Sequence, residues 1–370
     1  FTNKAAAEMR ERLTDLVGQE TASKLWVCTF HSACVRVLRM EHEAAGLPKG
    51  FSIADTGDSY RMIRNIMKSM NMGGEDLKKA VGAARSAISW ARNRGISEDQ
   101  VSSVSGIPKI NEIAGAYRKA LHSAGAVDFD DLILRTRHIF KADPGVSERW
   151  ASKFVHVLVD EFQDTNPIQM DLIRHLTSGH RNLTAVGDLD QSVYAFRAAD
   201  PEGMVRFSEE WSDASVVILD RNYRSTAAIV EVNSSIIAGN EAIHRAHQTA
   251  AGNPGEPVVL RTCADDREEA SYVVSMVKSL GGRYSDHAVL VRTNAQTRVL
   301  EEAFNRSNIP ARLIGAFPFY QRAEVRDAVA WLRAAVNRKD RMAFERASSA
   351  PLRGMGDQVL ARLWAETPDG

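Results

Sequence analysis

The sequence predicts an α/β protein in which parallel sheets are covered by helices. Two patterns predict it. Short apolar runs recur along the 370 residues, each closing in polar residues and giving way to a stretch of helical character. Continuous runs of this kind belong to parallel sheets buried on both faces, where no strand alternates between core and water. The second pattern is a break in that rhythm: residues 56–126 read as mostly helical, with Met-rich and Lys/Arg-rich stretches and few β-branched runs. This segment reads as an insertion into the first α/β domain.

The elements follow in order. The run from Val155 to Val159 ends in Asp160-Glu161, and the run from Leu183 to Val186 ends in Gly187-Asp188. Val216 to Leu219 repeats the form. Val258 to Leu260 precedes a helical stretch near 266–280, Ala288 to Val291 precedes another near 297–306, and Arg312 to Ile314 comes next. The last thirty residues read as helical, with Pro351 to Gly356 as a turn between helices. In doubly wound folds, ligands sit at the carboxyl ends of the strands. The polar residues that close the apolar runs are therefore where chemistry is expected.

Composition narrows the function classes. A hydrophobic share of 44% with 25% charged is ordinary for soluble domains, and the length suffices for two or more of them. No apolar run reaches bilayer length, and the first residues lack the order of a signal peptide. Cys28, Cys34 and Cys263 are odd in number and form no CxxC pair, which argues against a disulfide framework, a zinc ribbon or a four-cysteine cluster and for a reducing compartment. With 47 basic against 47 acidic residues, net charge alone does not point to nucleic acid. Locally, residues 61–122 hold 11 Lys and Arg against 5 Asp and Glu, which suits a solvated helical surface.

Three stretches carry candidate chemistry. In VHVLVDEFQDTN (155–166) a strand ends in two adjacent carboxylates that alternation points in different directions. One of the two, Asp160 or Glu161, can hold a hydrated magnesium ion through its water shell while the other orients and deprotonates an attacking water. The same pair also reads as a helix N-terminus, where acidic side chains favour the dipole. In LTAVGDLDQSVYAFRAAD (183–200) the amide of Gln191 suits sensing of a terminal phosphate, and Tyr194, Phe196 and Arg197 suit stacking on single-stranded nucleic acid. Aromatics spaced by two also serve core packing. In ILDRNYRST (218–226) Tyr223 can stack on an adenine and Arg224 can reach a γ-phosphate.

Taken in order, FTNKAAAEM (1–9), CTFHSACVRVLR (28–39), VDFDDLI (127–133), VDEFQDTN (159–166), VGDLDQSVYAFRAAD (186–200) and LDRNYRST (219–226) resemble superfamily 1 helicases of the UvrD/PcrA/Rep group. The resemblance continues through VLVRTNAQTRVLEE (289–302), FYQRAEVRD (319–327) and PLRGMG (351–356) and covers essentially the whole chain. It implies two RecA-like, P-loop-type motor domains, each with a largely helical insertion and each truncated. The first would take 1–55 and 127–217 around an insertion at 56–126, the second 218–340, and 341–370 would begin a second helical domain. It implies a 3′-to-5′ DNA helicase that hydrolyses Mg²⁺-ATP in repair or replication. Its partners would be single-stranded DNA, duplex junctions and repair or replication proteins. It would be a bacterial, cytoplasmic, nucleoid-associated protein.

Residue by residue, the resemblance implies magnesium binding for Asp160, the catalytic base for Glu161, and γ-phosphate coupling for Gln191. It implies adenine stacking for Tyr223 and γ-phosphate contact for Arg224. Strand contacts are implied for Phe1, Thr2, Asn3, His31, Tyr194, Phe196, Arg197 and Asn294, and phosphate contact through the turn holding Gly354 and Gly356. The basic excess at 61–122 would then meet nucleic-acid backbone.

Four positions depart from the family pattern: Phe196 for Trp, Ala198 for Gly, Ala316 for Gly and Gln321 for Asp. No G-x-x-x-x-G-K-[ST] occurs in the chain. The chain opens at Phe1 and closes in Thr-Pro-Asp-Gly, reads as a fragment, and is expected to have negligible ATPase activity alone. Two further readings are the motor part of a RecB/AddA-type helicase–nuclease and a non-hydrolysing DNA-binding remnant. The intact set of Asp160, Glu161, Gln191 and Arg224 argues against the remnant.

Overall fold

A computed structural model describes residues 3–72, 76–194, 198–239, 248–314, 323–337, 340–349, 355 and 357–366. The chain forms two compact units, one of residues 1–216 with 327–370 and one of residues 217–326. In chain order the elements are α1 (Asn3–Val17), α2 (Gln19–Lys24), α3 (Phe30–Met40), β1 (Ser52–Ile53), α4 (Thr56–Ser69), α5 (Leu77–Asn93), α6 (Ile110–Ser123) and β2 (Ala126–Val127). Then come α7 (Phe129–Ala142), α8 (Pro144–Lys153), β3 (Val157–Val159), α9 (Pro167–Thr177), β4 (Leu183–Ala185), α10 (Glu202–Val205) and α11 (Phe207–Glu210). The remainder is β5 (Arg221–Asn222), α12 (Ala227–Ile237), β6 (Thr249–Ala250), α13 (Asp266–Leu280), α14 (Asn294–Arg306), α15 (Ala323–Val336), α16 (Arg341–Ser349) and α17 (Asp357–Glu366).

The fold is helix-rich α/β, and its strands pair in parallel: β1 with β2, β3 with β4, and β5 with β6. Local chemistry sets the helix starts. Asp55, Asp128 and Asn166 each accept a backbone N–H three residues on, and the side chain three residues on, Asp58, Asp131 or Gln169, answers their own N–H. Each such reciprocal cap satisfies donors that a helix N-terminus otherwise leaves orphaned. Pro167 at the first position of α9 adds a preset φ.

Helices α4, α5 and α6 bury their own core of Ile63, Met67, Val81, Ile88, Ile113 and Leu121. A second core joins α3, α7, α8 and α9 through Leu38, Leu132, Ile139, Trp150, Ile168 and Leu172. Burying each of these side chains stabilises the fold by about 1.5–3 kcal/mol. Between the two cores lies an ion cluster. Arg92 of α5 donates to Asp128 at 2.9 Å and to Asp131 at 2.6 Å, all three buried, and the Tyr117 hydroxyl donates to Asp128 at 2.8 Å. In the same unit Arg333 of α15 bonds Asp58 at 2.8 Å and Asp340 at 3.0 Å.

The sheets depart from the expectation of burial on both faces. Val159 is buried against Phe162, Met170, Ile173 and Trp211, but its neighbour Leu158 is 75% exposed. The runs at 216–219, 258–260, 288–291 and 312–314 are not strands, and Leu260 and Leu290 are 95% and 96% exposed. An apolar run encodes a demand for burial, not the neighbour that meets it. Among the described residues no strand pairs with these runs, so they form no ladder. By contrast the helical stretches near 266–280 and 297–306 form α13 and α14.

All three cysteines are free thiols, and burial pushes Cys34 up to about 12, leaving it inert. Among the described residues no helix is long and apolar enough to cross a membrane.

Candidate nucleotide-hydrolysis and strand-binding site

The parallel register of β3 and β4 aligns Val159 with Ala185, so both strands deliver their polar ends at one edge. Asp160 and Glu161 follow β3 and are exposed. Glu161 sits in the left-handed region at φ 53, a strained conformation for a residue with a Cβ and one that clusters at functional sites. The backbone then returns to the sheet, with Phe162 N–H donating to the Val186 carbonyl at 2.9 Å.

Gln163 is 1% exposed and binds at both ends of its amide. Its Nε2 donates to Glu161 Oε2 at 2.7 Å, and its Oε1 accepts the Asp188 N–H at 3.0 Å. Asp188 in turn accepts the Asp190 N–H at 3.0 Å and the Gln191 side-chain amide at 2.7 Å. Gly187 is required by close approach, since a Cβ there would stand 2.6 Å from Gln163 Oε1 and 3.2 Å from Gln163 N. The sequence places Glu161 and Gln191 at neighbouring strand ends and marks Gln163 and Asp188 beside them without giving either a role; in the structure these two residues join Glu161 to Gln191.

The rest of the corner braces the loop after β4. Burial pushes the Asp164 carboxyl above the usual carboxylate range, the Glu161 charge adds to this, and the N–H groups of Val193 and Tyr194 pull it back. The Thr165 carbonyl accepts the Asp200 N–H at 2.8 Å. Asn166 Nδ2 donates at 2.7 Å to Asn93, whose own Nδ2 donates to Asp130 at 2.8 Å. Ala198 is fully buried at φ 62, a conformation that favours glycine, so the Ala found there carries backbone strain.

Of the strand-contact residues, Asn3 and His31 lie at the starts of α1 and α3, which a bond through Ser32, the neighbour of His31, brings together. Ser32 Oγ donates to Asn3 Oδ1 at 3.2 Å, while Thr29 caps α3 by accepting the Ser32 N–H. His31 packs edge-on against Phe129, ring centroids 6.1 Å apart. Phe129 is 47% exposed although it is large and apolar, and sequence reasoning passed over it. Its place in VDFDDLI, directly after the Asp128 cap, was the available signal. Tyr194 is partly buried on the loop after β4. Phe1, Thr2, Phe196, Arg197, Ala316, Gln321, Gly354 and Gly356 lie outside the described residues, as does the side chain of Asn294, whose backbone begins α14.

In the second unit, Asn222 organises the Tyr-Arg pair. Its Oδ1 accepts the N–H groups of Arg224 at 3.0 Å and Ser225 at 2.9 Å, and its Nδ2 donates to Gln248 at 3.0 Å. This turn leaves Tyr223 78% exposed with Arg221 over its ring at 5.8 Å, and Arg224 is exposed beside it. Asn222 is a second residue that sequence reasoning passed over.

Residues 1–212 match the family model of the UvrD/REP helicase N-terminal domain, and residues 217–369 match that of the UvrD-like helicase C-terminal domain. The chain belongs to the UvrD/Rep helicase family. Its relatives include the ATP-dependent DNA helicase PcrA of Staphylococcus epidermidis, 36% identical over 369 residues, 98% of this chain and 50% of that protein. The PcrA of Staphylococcus aureus is 35% identical over 368 residues, again 98% of this chain and 50% of the relative. The chain therefore spans about half the length of these relatives.

Within this UvrD/Rep frame, the acidic corner suits a hydrated magnesium ion. Among the described residues no group of three or more His, Cys, Asp or Glu could hold a metal. Magnesium needs no such cage, because it keeps several waters and binds through one or two carboxylates plus the substrate phosphates. The exposed Asp160 carboxylate at the end of β3 fits that mode.

Proposed function

We propose that the protein is an ATP-dependent DNA translocase and helicase that moves 3′ to 5′ on single-stranded DNA in repair or replication. The motor would comprise two RecA-like domains, each with a helical insertion. Asp160 would hold the magnesium, which supplies charge neutralisation on the phosphates. Glu161 would orient the attacking water and take its proton, Gln191 would meet the terminal phosphate, Tyr223 would stack on adenine and Arg224 would reach the γ-phosphate.

The observation that carries this reading is the shared edge of β3 and β4, where a carboxylate suited to activating water is hydrogen-bonded through Gln163 to the loop bearing Gln191 and Tyr194. Strand contact would fall to Asn3, His31, Tyr194, Asn294 and the flanking Phe1, Thr2, Phe196, Arg197, Gly354 and Gly356. The exposed Phe129 against His31 extends that surface, since an aromatic face stacks on any base.

The test is ATP turnover by the native full-length protein with and without an oligo-dT strand, together with unwinding of duplexes carrying a 3′ or a 5′ tail. Strand-stimulated turnover with unwinding of only the 3′-tailed duplex is expected. Turnover indifferent to DNA would refute the translocase reading, and preference for the 5′ tail would reverse its direction.

A further inference from the structure

We propose that Gln163 is a positioning residue that couples the orientation of the Glu161 carboxylate to the loop carrying Gln191. The inference rests on the hydrolytic roles proposed above for those two residues. Gln163 touches neither nucleotide nor strand in that reading; it acts through its neighbours.

The amide orientation is settled by chemistry. One end faces a carboxylate, which only accepts, so that end is the Nε2 donor; the other faces the Asp188 N–H, which only donates, so that end is Oε1. A single rigid amide thus spans two elements that are 25 residues apart in sequence. At 1% exposure it has no water with which to exchange either bond. Glu161 is exposed, and the amide is what selects among the rotamers open to an exposed glutamate. On the far side, the Asp188 carboxylate fixes Gln191 at 2.7 Å, so a shift of the Asp188 backbone moves Gln191 and the Gln163 amide together. Gly187 closes the device, because its missing side chain lets the loop lie against the amide. A buried glutamine that merely satisfied its own polarity would need no such contact at both a reacting group and its sensor.

The full-length native protein carrying Gln163→Met, Gln163→Glu, Gly187→Ala or Glu161→Gln tests this. Met keeps volume without either bond. Glu keeps the acceptor for the Asp188 N–H but sets a second carboxylate against Glu161. Gly187→Ala leaves Gln163 in place and displaces its amide. The expected result is a fall in DNA-stimulated kcat of about 10–100-fold in all three at temperatures where each variant is fully folded, with the KM for ATP held and the losses of kcat not following the losses of melting temperature, as for loss of an outer partner that orients a reacting group. The Glu variant falls at least as far as Met.

Wild-type kcat in Gln163→Met or Gly187→Ala, while Glu161→Gln is inactive, overturns the positioning role and leaves the hydrolytic reading intact. A rise in KM that tracks loss of melting temperature also overturns it, since that is the signature of a residue needed only for folding. Hydrolysis retained by Glu161→Gln overturns the hydrolytic reading instead.

Discussion

The side-chain amide of Asn166 donates to Asn93 Oδ1 at 2.7 Å, tying the helix that follows the Asp160-Glu161 corner to the end of α5. Asn166 also caps α9 with its Oδ1, so its two ends perform separable tasks. Asn166→Asp keeps the cap and adds a charge that the helix dipole favours, but it removes the donor. The variant is nevertheless expected to lose about 1 kcal/mol of stability, and Asn93→Ala added to it should cost less than the sum of the two single changes. Additive losses measured by denaturant unfolding would show that the bond contributes nothing.

Arg92 carries the larger stake in the same contact region. Asp128 and Asp131 both depend on its guanidinium, and each is also committed to the cap of α7. Arg92→Met strands two buried carboxylates, and a loss of about 3–5 kcal/mol is expected, as when one partner of a buried pair is deleted. Thermal unfolding unchanged in this variant would contradict the ion cluster.

Asp130 supplies a pH dependence. Burial, and then the Asp128 charge beside it, push its carboxyl up to about 6. Because the folded state binds this proton more tightly than the unfolded chain, the contribution is complete below the ordinary aspartate range near 3.8 and is lost as pH rises through about 6. Asp130→Asn keeps an acceptor for Asn93 and removes the titration. Relative to wild type, the variant should therefore gain melting temperature between pH 5 and 7. A difference that stays constant across that interval would rule the titration out.

Much of the α/β frame and of the acidic corner was legible in the sequence, and the reasons are local. A run such as Val155 to Val159 states its own strand and its polar end, and α13 and α14 state themselves through periodicity and the caps at Asp265 and Thr293. What escaped notice is pairing across distance. Gln163 adds specificity to the motif in the sequence but shows no task there until Asp188 is known to lie against it. Arg92 is one basic residue among many in 61–122, and only the fold turns it from solvated charge into the buried partner of Asp128 and Asp131, 36 and 39 residues away. Asn222 looks like a spacer before Tyr223 until its carbonyl is seen holding the next turn. The exposed runs at 258–260 and 288–291 make the converse point, since burial depends on a neighbour that the run itself does not name.

The central claim is that Glu161 activates water at the end of β3. Glu161→Gln in the full-length protein retains an acceptor for Gln163 and removes the base. Single-turnover hydrolysis at saturating ATP and single-stranded DNA, read beside binding of a fluorescent ATP analogue, tests it most directly. A fall in the hydrolysis rate of at least about 100-fold with analogue affinity unchanged is the predicted result. Hydrolysis within about tenfold of wild type would contradict it, because a general base contributes more than that.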